Sequence, residues 1–268
     1  MSPAPNLGYD FAKLCVRVGQ FVVDGLANVG AIARFAATTV ARASRPPYYG
    51  SRLAEQMLMI GWFALPVVGL TALFTGAALA QQIYVGGSRF NAQSTVPAVT
   101  VIALVRELGP VLVGLVMAGR VSSAMAAELG TMRVTEQLDA MVTLRTDPYR
   151  YLIAPRVIAS TIMMPLLVTI ANAIGVLGGY FLSTQRLGFN PSQYLATTAR
   201  FLTWEDIVSS LVKAAVFGFI IALSGCFAGF TSTGGSAGVG RSTTSAVVLA
   251  FVLILMSNLI ITVLAFGR

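Results

Sequence analysis

Apolar residues in this chain fall into five long runs separated by short polar stretches. The first extends from Leu53 to Val85 and is interrupted by Glu55, Gln56 and Pro66. Four more follow, near residues 96–120, 153–182, 207–230 and 245–266. A helix rises about 1.5 Å per residue and needs about 20 residues to cross the hydrocarbon of a bilayer, so each run predicts a membrane-spanning helix. Residues 7–42 behave differently. Phe11, Leu14, Val18, Phe21, Val22, Gly25 and Val29 recur at helical spacing, with Arg17, Gln20, Asp24 and Asn28 largely elsewhere. That spacing predicts an amphipathic helix lying in the membrane interface, with a poor first span as the alternative. Lys13, Arg17, Asp24 and Arg34 break up the uninterrupted apolar core a cleaved signal would need.

Between the second and third runs, Val134, Leu138, Met141 and Val142 recur at i, i+4, i+7 and i+8, while Glu136, Asp139 and Thr143 point away. This predicts a short amphipathic helix with charge of both signs. It either docks on a partner or floats on the bilayer, and its mixed charge argues against floating, because surface helices favour Lys and Arg. The expected fold is therefore an all-α membrane protein: an N-terminal interfacial helix within residues 1–52, five transmembrane helices within 53–268, and a connector helix between spans two and three.

Composition supports this class. Hydrophobic residues make up 56% of the 268 and charged residues 10%, with a mean hydropathy of +0.79, which excludes an ordinary soluble domain. The net charge of +8 is dispersed over loops, so it bears on topology and anionic headgroups, not nucleic acid. Twelve Lys and Arg lie before span one, after span two and after span four; Arg89, Arg186, Arg200 and Arg268 lie on the other side. The positive-inside rule then places the N-terminus in the cytoplasm and the C-terminus outside. Cys15 and Cys226 have no metal or redox spacing, and there is no histidine. Neither a metal site nor a cofactor is expected in this chain.

GGSAGVGRS, residues 234–242, superficially fits a nucleotide P-loop, with Arg241 and Ser242 where Lys and Ser are expected. A P-loop joins a strand to a helix in a soluble domain, so here the run reads as a tight turn between spans. ALVRELGPVL, residues 103–112, is more informative, because it puts Arg106 and Glu107 inside the second apolar run. Neighbours on a helix project about 100° apart, so each charge needs its own partner. Gly114, Ala118, Ser122 and Ala126 form a small-residue stripe, and Glu107 lies nearly on that face. Pro110 has no N–H to offer the carbonyl of Arg106, so a kink and a free carbonyl are expected there. The cluster is either a structural lock between helices or a polar spot in a transport path.

The run VRELGPVLVGLVMAGRVSSAMAAELGTMRVTEQLDAM, residues 105–141, resembles the signature region of the MlaE (YrbE) permease family. The likeness continues through DPYRYLIAPRVIA (147–159) and STGGSAGVGRSTTSAVV (232–248). The resemblance implies a homodimeric permease subunit of an ABC transporter in the bacterial inner membrane. ATP and Mg would be bound by a separate cytoplasmic ATPase, with a periplasmic ring of MCE-domain protein and sometimes a STAS-domain protein as further partners. The implied cargo is lipid, usually glycerophospholipid. Arg106 and Glu107 match the charged pair on the family's cavity-forming helix, with Pro110 beside them. Leu79 and Phe90 are weaker lining candidates, placed only by their distance before Glu107. Residues 128–147, including Glu128, Arg133, Glu136, Asp139, Arg145 and Asp147, match the helix that couples to the ATPase. Departures are Ser122 for a frequent Gly, Leu144-Arg145 for Met-Gly, and Asn258 for an acidic residue in span five. A secondary carrier using Glu107 as a proton or ion site is the alternative, although RELGP and AELGT are the one visible echo and do not form two halves. A non-transporting membrane anchor is a third reading.

Overall fold

A computed structural model describes residues 7–43, 46 and 49–267, and in the first helix the side chains of 16, 17, 19, 20 and 23 onward. Among the described residues, five helices are long and apolar enough to cross a membrane: span one Gly50–Ser88, span two Gln93–Val134, span three Tyr149–Gln185, span four Trp204–Phe230 and span five Gly235–Phe266. No strand occurs among the described residues. All five extend past the apolar runs that announce them, because a helix end continues into the interface as long as it satisfies its own backbone groups. Span two shows this most: its helix runs on from residue 120 to Val134.

The amphipathic helix is a single element, Leu7–Ala43. Of its expected apolar positions, Phe11, Leu14, Val18, Phe21 and Val22 lie outside the described side chains, as does Cys15. Val16, Val23, Leu26 and Val29 are exposed, which leaves an apolar surface for lipid. Its last turns dock. Phe35 is buried, with ring centroids 5.4 Å from Tyr149, 5.5 Å from Phe227 and 5.9 Å from Phe230. Arg42 donates to Asp147 Oδ1 at 2.6 Å and lies over the Tyr149 ring.

Span three is central, packing along spans one and four, and span four packs in turn against spans two and five. In lipid no hydrophobic force brings helices together, so close backbone approach has to do it. Glycine supplies that approach. A Cβ on Gly76 of span one would fall on the carbonyl of Gly175 in span three, and one on Gly178 would fall on that of Leu73. The small-residue stripe of span two works in the same way. Ala118, Ser122 and Ala126 are fully buried, and Cβ atoms on Gly225 and Gly229 of span four would come within 2.7 Å of Ser122 O and 2.8 Å of Ala126 O. By contrast, span five leaves Val252, Leu255, Met256, Leu259, Ile260 and Val263 exposed along one face.

Three findings depart from the hydropathy reading. The turn before span five is only Thr231–Gly234, so GSAGVGRS is the helical start of that span and not a loop. The stretch between spans three and four contains a further helix, Pro191–Phe201, capped by Asn190 Oδ1, which accepts from the backbone N–H groups of Ser192 and Gln193. Finally, in place of a simple proline kink, span two has π-helical turns at Leu104–Leu108 and Ala118–Ser122.

Candidate functional site

The first π turn of span two puts Arg106 and Glu107 against spans four and five. In a π turn the N–H of Gly109 reaches the carbonyl of Leu104, five residues back. Pro110 cannot donate, and the freed carbonyl of Arg106 accepts from Lys213 Nζ of span four at 2.7 Å. The same ammonium donates to Glu107 Oε1 and to Thr262 Oγ1, each at 2.8 Å. An ammonium has three N–H bonds, and all three are used. Thr262 passes its hydroxyl proton toward Glu107 Oε1 at 2.8 Å, and Asn258 Nδ2 donates to Glu107 Oε2 at 2.9 Å. Glu107 thereby links spans two, four and five.

Arg106 has a separate partner. It donates to Asp206 Oδ1 at the start of span four, and its guanidinium lies 4.4 Å from the centroid of the Phe266 ring. Asp206 is held in a capping box with Thr203, whose backbone N–H it accepts at 3.1 Å. Each charge of the pair therefore meets an opposite one, as the 100° separation requires. The side chains of Lys213 and Asp206 have no solvent exposure, whereas Glu107 is 37% and Arg106 34% exposed. Both side chains lie within the helix of span two, Arg106 13 residues, or roughly 20 Å, from its start, level with the first turn of span four and the last residue of span five.

Sequence reasoning did not single out Lys213, Asp206 and Thr262. Lys213 interrupts the apolar run LVKAAVF just as Arg106 and Glu107 interrupt theirs, so the same signal was available. Asn258, noted only as a departure, uses its amide to satisfy Glu107. The other proposed lining residues differ in exposure. Pro110 is buried, Leu79 is half-buried on span one, and Phe90 is 83% exposed in the turn after it. A cavity of about 440 Å³ opens nearby between spans two, three and four and the Pro191–Phe201 helix; Val101, Val105, Asn172, Thr198 and Ile207 line it, and none of the five proposed residues does. Among the described residues, no three of His, Cys, Asp and Glu form a metal-binding group.

The connector helix between spans two and three is Gln137–Thr143, entered through Glu136 at φ 59° and left through Arg145 at φ 57°. Of its apolar positions, Leu138 is buried and Met141 half-buried. Val142 and Leu144 are 59% and 78% exposed, and Val134 ends span two. Arg133 bridges Asp139 at 2.7 Å, while Glu136 and Arg145 are exposed. Glu128 lies before the connector, on span two, and pairs with the buried Arg156 of span three at 2.6 Å. Asp147 is held by Arg42, Arg150 and the backbone N–H of Tyr149. Glu128 and Asp147 thus bind elements of the same chain, and Glu136 and Arg145 are left with Val142 and Leu144 as an outward surface.

Residues 53–264 match the model of the MlaE permease family. The chain belongs to the MlaE permease family. Among curated relatives of this MlaE-type permease, a probable ABC transporter permease of Rickettsia bellii is 49% identical over 261 residues, covering 97% of this chain and 98% of the relative. One from Synechocystis is 44% identical over 212 residues, covering 79% and 81%. The chloroplastic protein trigalactosyldiacylglycerol 1 of Arabidopsis thaliana is 40% identical over 208 residues, covering 78% of this chain and 59% of its own. The MlaE-type permease is thus a multi-pass membrane protein of the ABC transporter class.

Proposed function

We propose that two copies of this permease form the membrane path of a lipid-exporting or lipid-importing ABC transporter in a bacterial inner membrane, with glycerophospholipid as cargo. Cytoplasmic ATPase subunits drive it through the Gln137–Thr143 connector, and an MCE-domain protein exchanges lipid on the periplasmic side, with a STAS-domain protein as a further partner. The observation carrying this reading is the one-third exposure of Arg106 and Glu107 within the apolar run of span two. Ionised groups in such a run turn away from lipid toward protein or water, because exposure to hydrocarbon costs about 3 kcal/mol or more each. A second copy set against the exposed apolar face of span five would enclose them in a cavity between the subunits, with apolar walls for acyl chains and charge for a headgroup. The name of the Arabidopsis relative is that of a galactolipid, which favours lipid over a soluble solute.

Reconstitution tests this. Proteoliposomes holding the permease, the ATPase and the MCE protein should move labelled phospholipid with ATP and not without it. Movement driven by a proton gradient in the permease alone would establish a secondary carrier instead, and no lipid movement under either condition would leave only an anchor.

A further inference from the structure

On the membrane face that carries the connector helix, a cavity of about 550 Å³ opens between the amphipathic helix, the end of span four and the first turns of span five. Ile32, Phe227 and Leu249 give it an apolar floor, and Asn28, Thr233, Ser242 and Arg241 a polar rim. Arg241 folds back over the Gly234 turn. Arg42, Arg133, Arg150 and Arg156 on this face each meet a carboxylate, but Arg241 forms no ion pair among the described residues. Ser242 and Thr233 likewise make no side-chain hydrogen bond there. One cavity wall is the helix whose Val23, Leu26 and Val29 face outward, which sets the rim at headgroup depth.

We propose that this cavity binds the phosphate group of an anionic glycerophospholipid from the adjacent leaflet. A guanidinium offers a planar fork of donors matched to phosphate oxygens, the hydroxyls at the rim add further donors, and the apolar floor takes the first carbons of an acyl chain. The site is distinct from the Glu107 network. Arg241 and Asn258 are 17 residues, or roughly 25 Å, apart along span five. It also stands whether or not lipid is the cargo. The glycine-rich run that fails as a nucleotide loop thus brings Arg241 to a lipid phosphate.

Thermal unfolding of the full-length chain in detergent, titrated with dioctanoyl phosphatidylglycerol, tests the assignment. The lipid should raise Tm saturably, and dioctanoyl phosphatidylcholine should not. Arg241→Gln should weaken the half-saturating concentration by about fivefold or more. Ser245→Phe, which fills the cavity while keeping the charge, should weaken it similarly, and Arg34→Gln, an exposed cation elsewhere on the amphipathic helix, should leave it unchanged. The proposal is overturned if Arg241→Gln titrates like the wild type, or if Arg34→Gln weakens binding equally. An equal response to phosphatidylcholine overturns the charge assignment. A shift from inorganic phosphate alone that Arg241→Gln abolishes would make the ligand a soluble anion and overturn the lipid assignment.

Discussion

Glu107→Gln and Lys213→Met remove opposite halves of one ion pair, yet they should not cost the same. Lys213 has no solvent exposure, and its three acceptors are Glu107 Oε1, the Arg106 carbonyl and Thr262 Oγ1. Removing the carboxylate leaves a buried cation with neutral acceptors only. Breaking a buried pair in this way costs about 3–5 kcal/mol. The reverse change is milder, because Glu107 is 37% exposed and keeps the donors Asn258 and Thr262. Losing one partner from a group that still reaches water and other donors costs about 1–2 kcal/mol. For a chain of this size 1 kcal/mol moves Tm by roughly 2–4 °C, so Glu107→Gln should lower it by about 6–20 °C and Lys213→Met by about 2–8 °C. The double variant removes both charges and leaves neither stranded. It should therefore be more stable than Glu107→Gln alone, with a coupling energy of about 1.5 kcal/mol or more. Thermal unfolding of the three variants in one detergent reads all of this. If Lys213→Met proves the more damaging single change, or if the two losses simply add, the account of a saturated, buried ammonium is wrong.

Gly178→Val should destabilise by about 1–3 kcal/mol or more, because its Cβ falls on the Leu73 carbonyl, whereas Gly86→Ala, with open space around it, should be neutral or slightly stabilising; thermal shift compares the two. Asp147→Asn should leave stability within about 1 kcal/mol of wild type, since the Arg42 pair is partly exposed, yet speed hydrogen exchange in residues 32–43 as the end of the amphipathic helix loosens. Glu136→Lys should reduce co-purification of the ATPase, while Glu136→Gly, which relieves the positive φ by about 1 kcal/mol, should raise stability without a comparable loss of capture. Unchanged capture in Glu136→Lys would remove Glu136 from the coupling surface.

Hydropathy made the spans legible because lipid imposes one requirement on every exposed face, and the chain meets it in five long runs. It located Arg106 and Glu107 for the converse reason: a charge in such a run needs a partner. It did not say which partner. Most of each span's surface is apolar whether it faces lipid or protein, so the register between helices is visible only where small residues permit close approach, as along Gly114, Ala118, Ser122 and Ala126. Lys213 was detectable by its charge, but its pairing with Glu107 depends on how spans two and four are rotated about each other. The start of span five was misread for a different reason. Gly234–Ser242 has turn composition, and in water its four glycines would favour a loop. At a membrane surface an unwound backbone leaves polar groups unsatisfied, so the helix forms in spite of propensity once Gly234 and Gly235, at φ 89° and 66°, have reversed the chain. Winding these residues into a helix also sets Gly238, Arg241, Ser242 and Ser245 on one face toward the amphipathic helix. Composition alone predicts a tight turn there; the helix instead holds its single cation at the rim of a cavity.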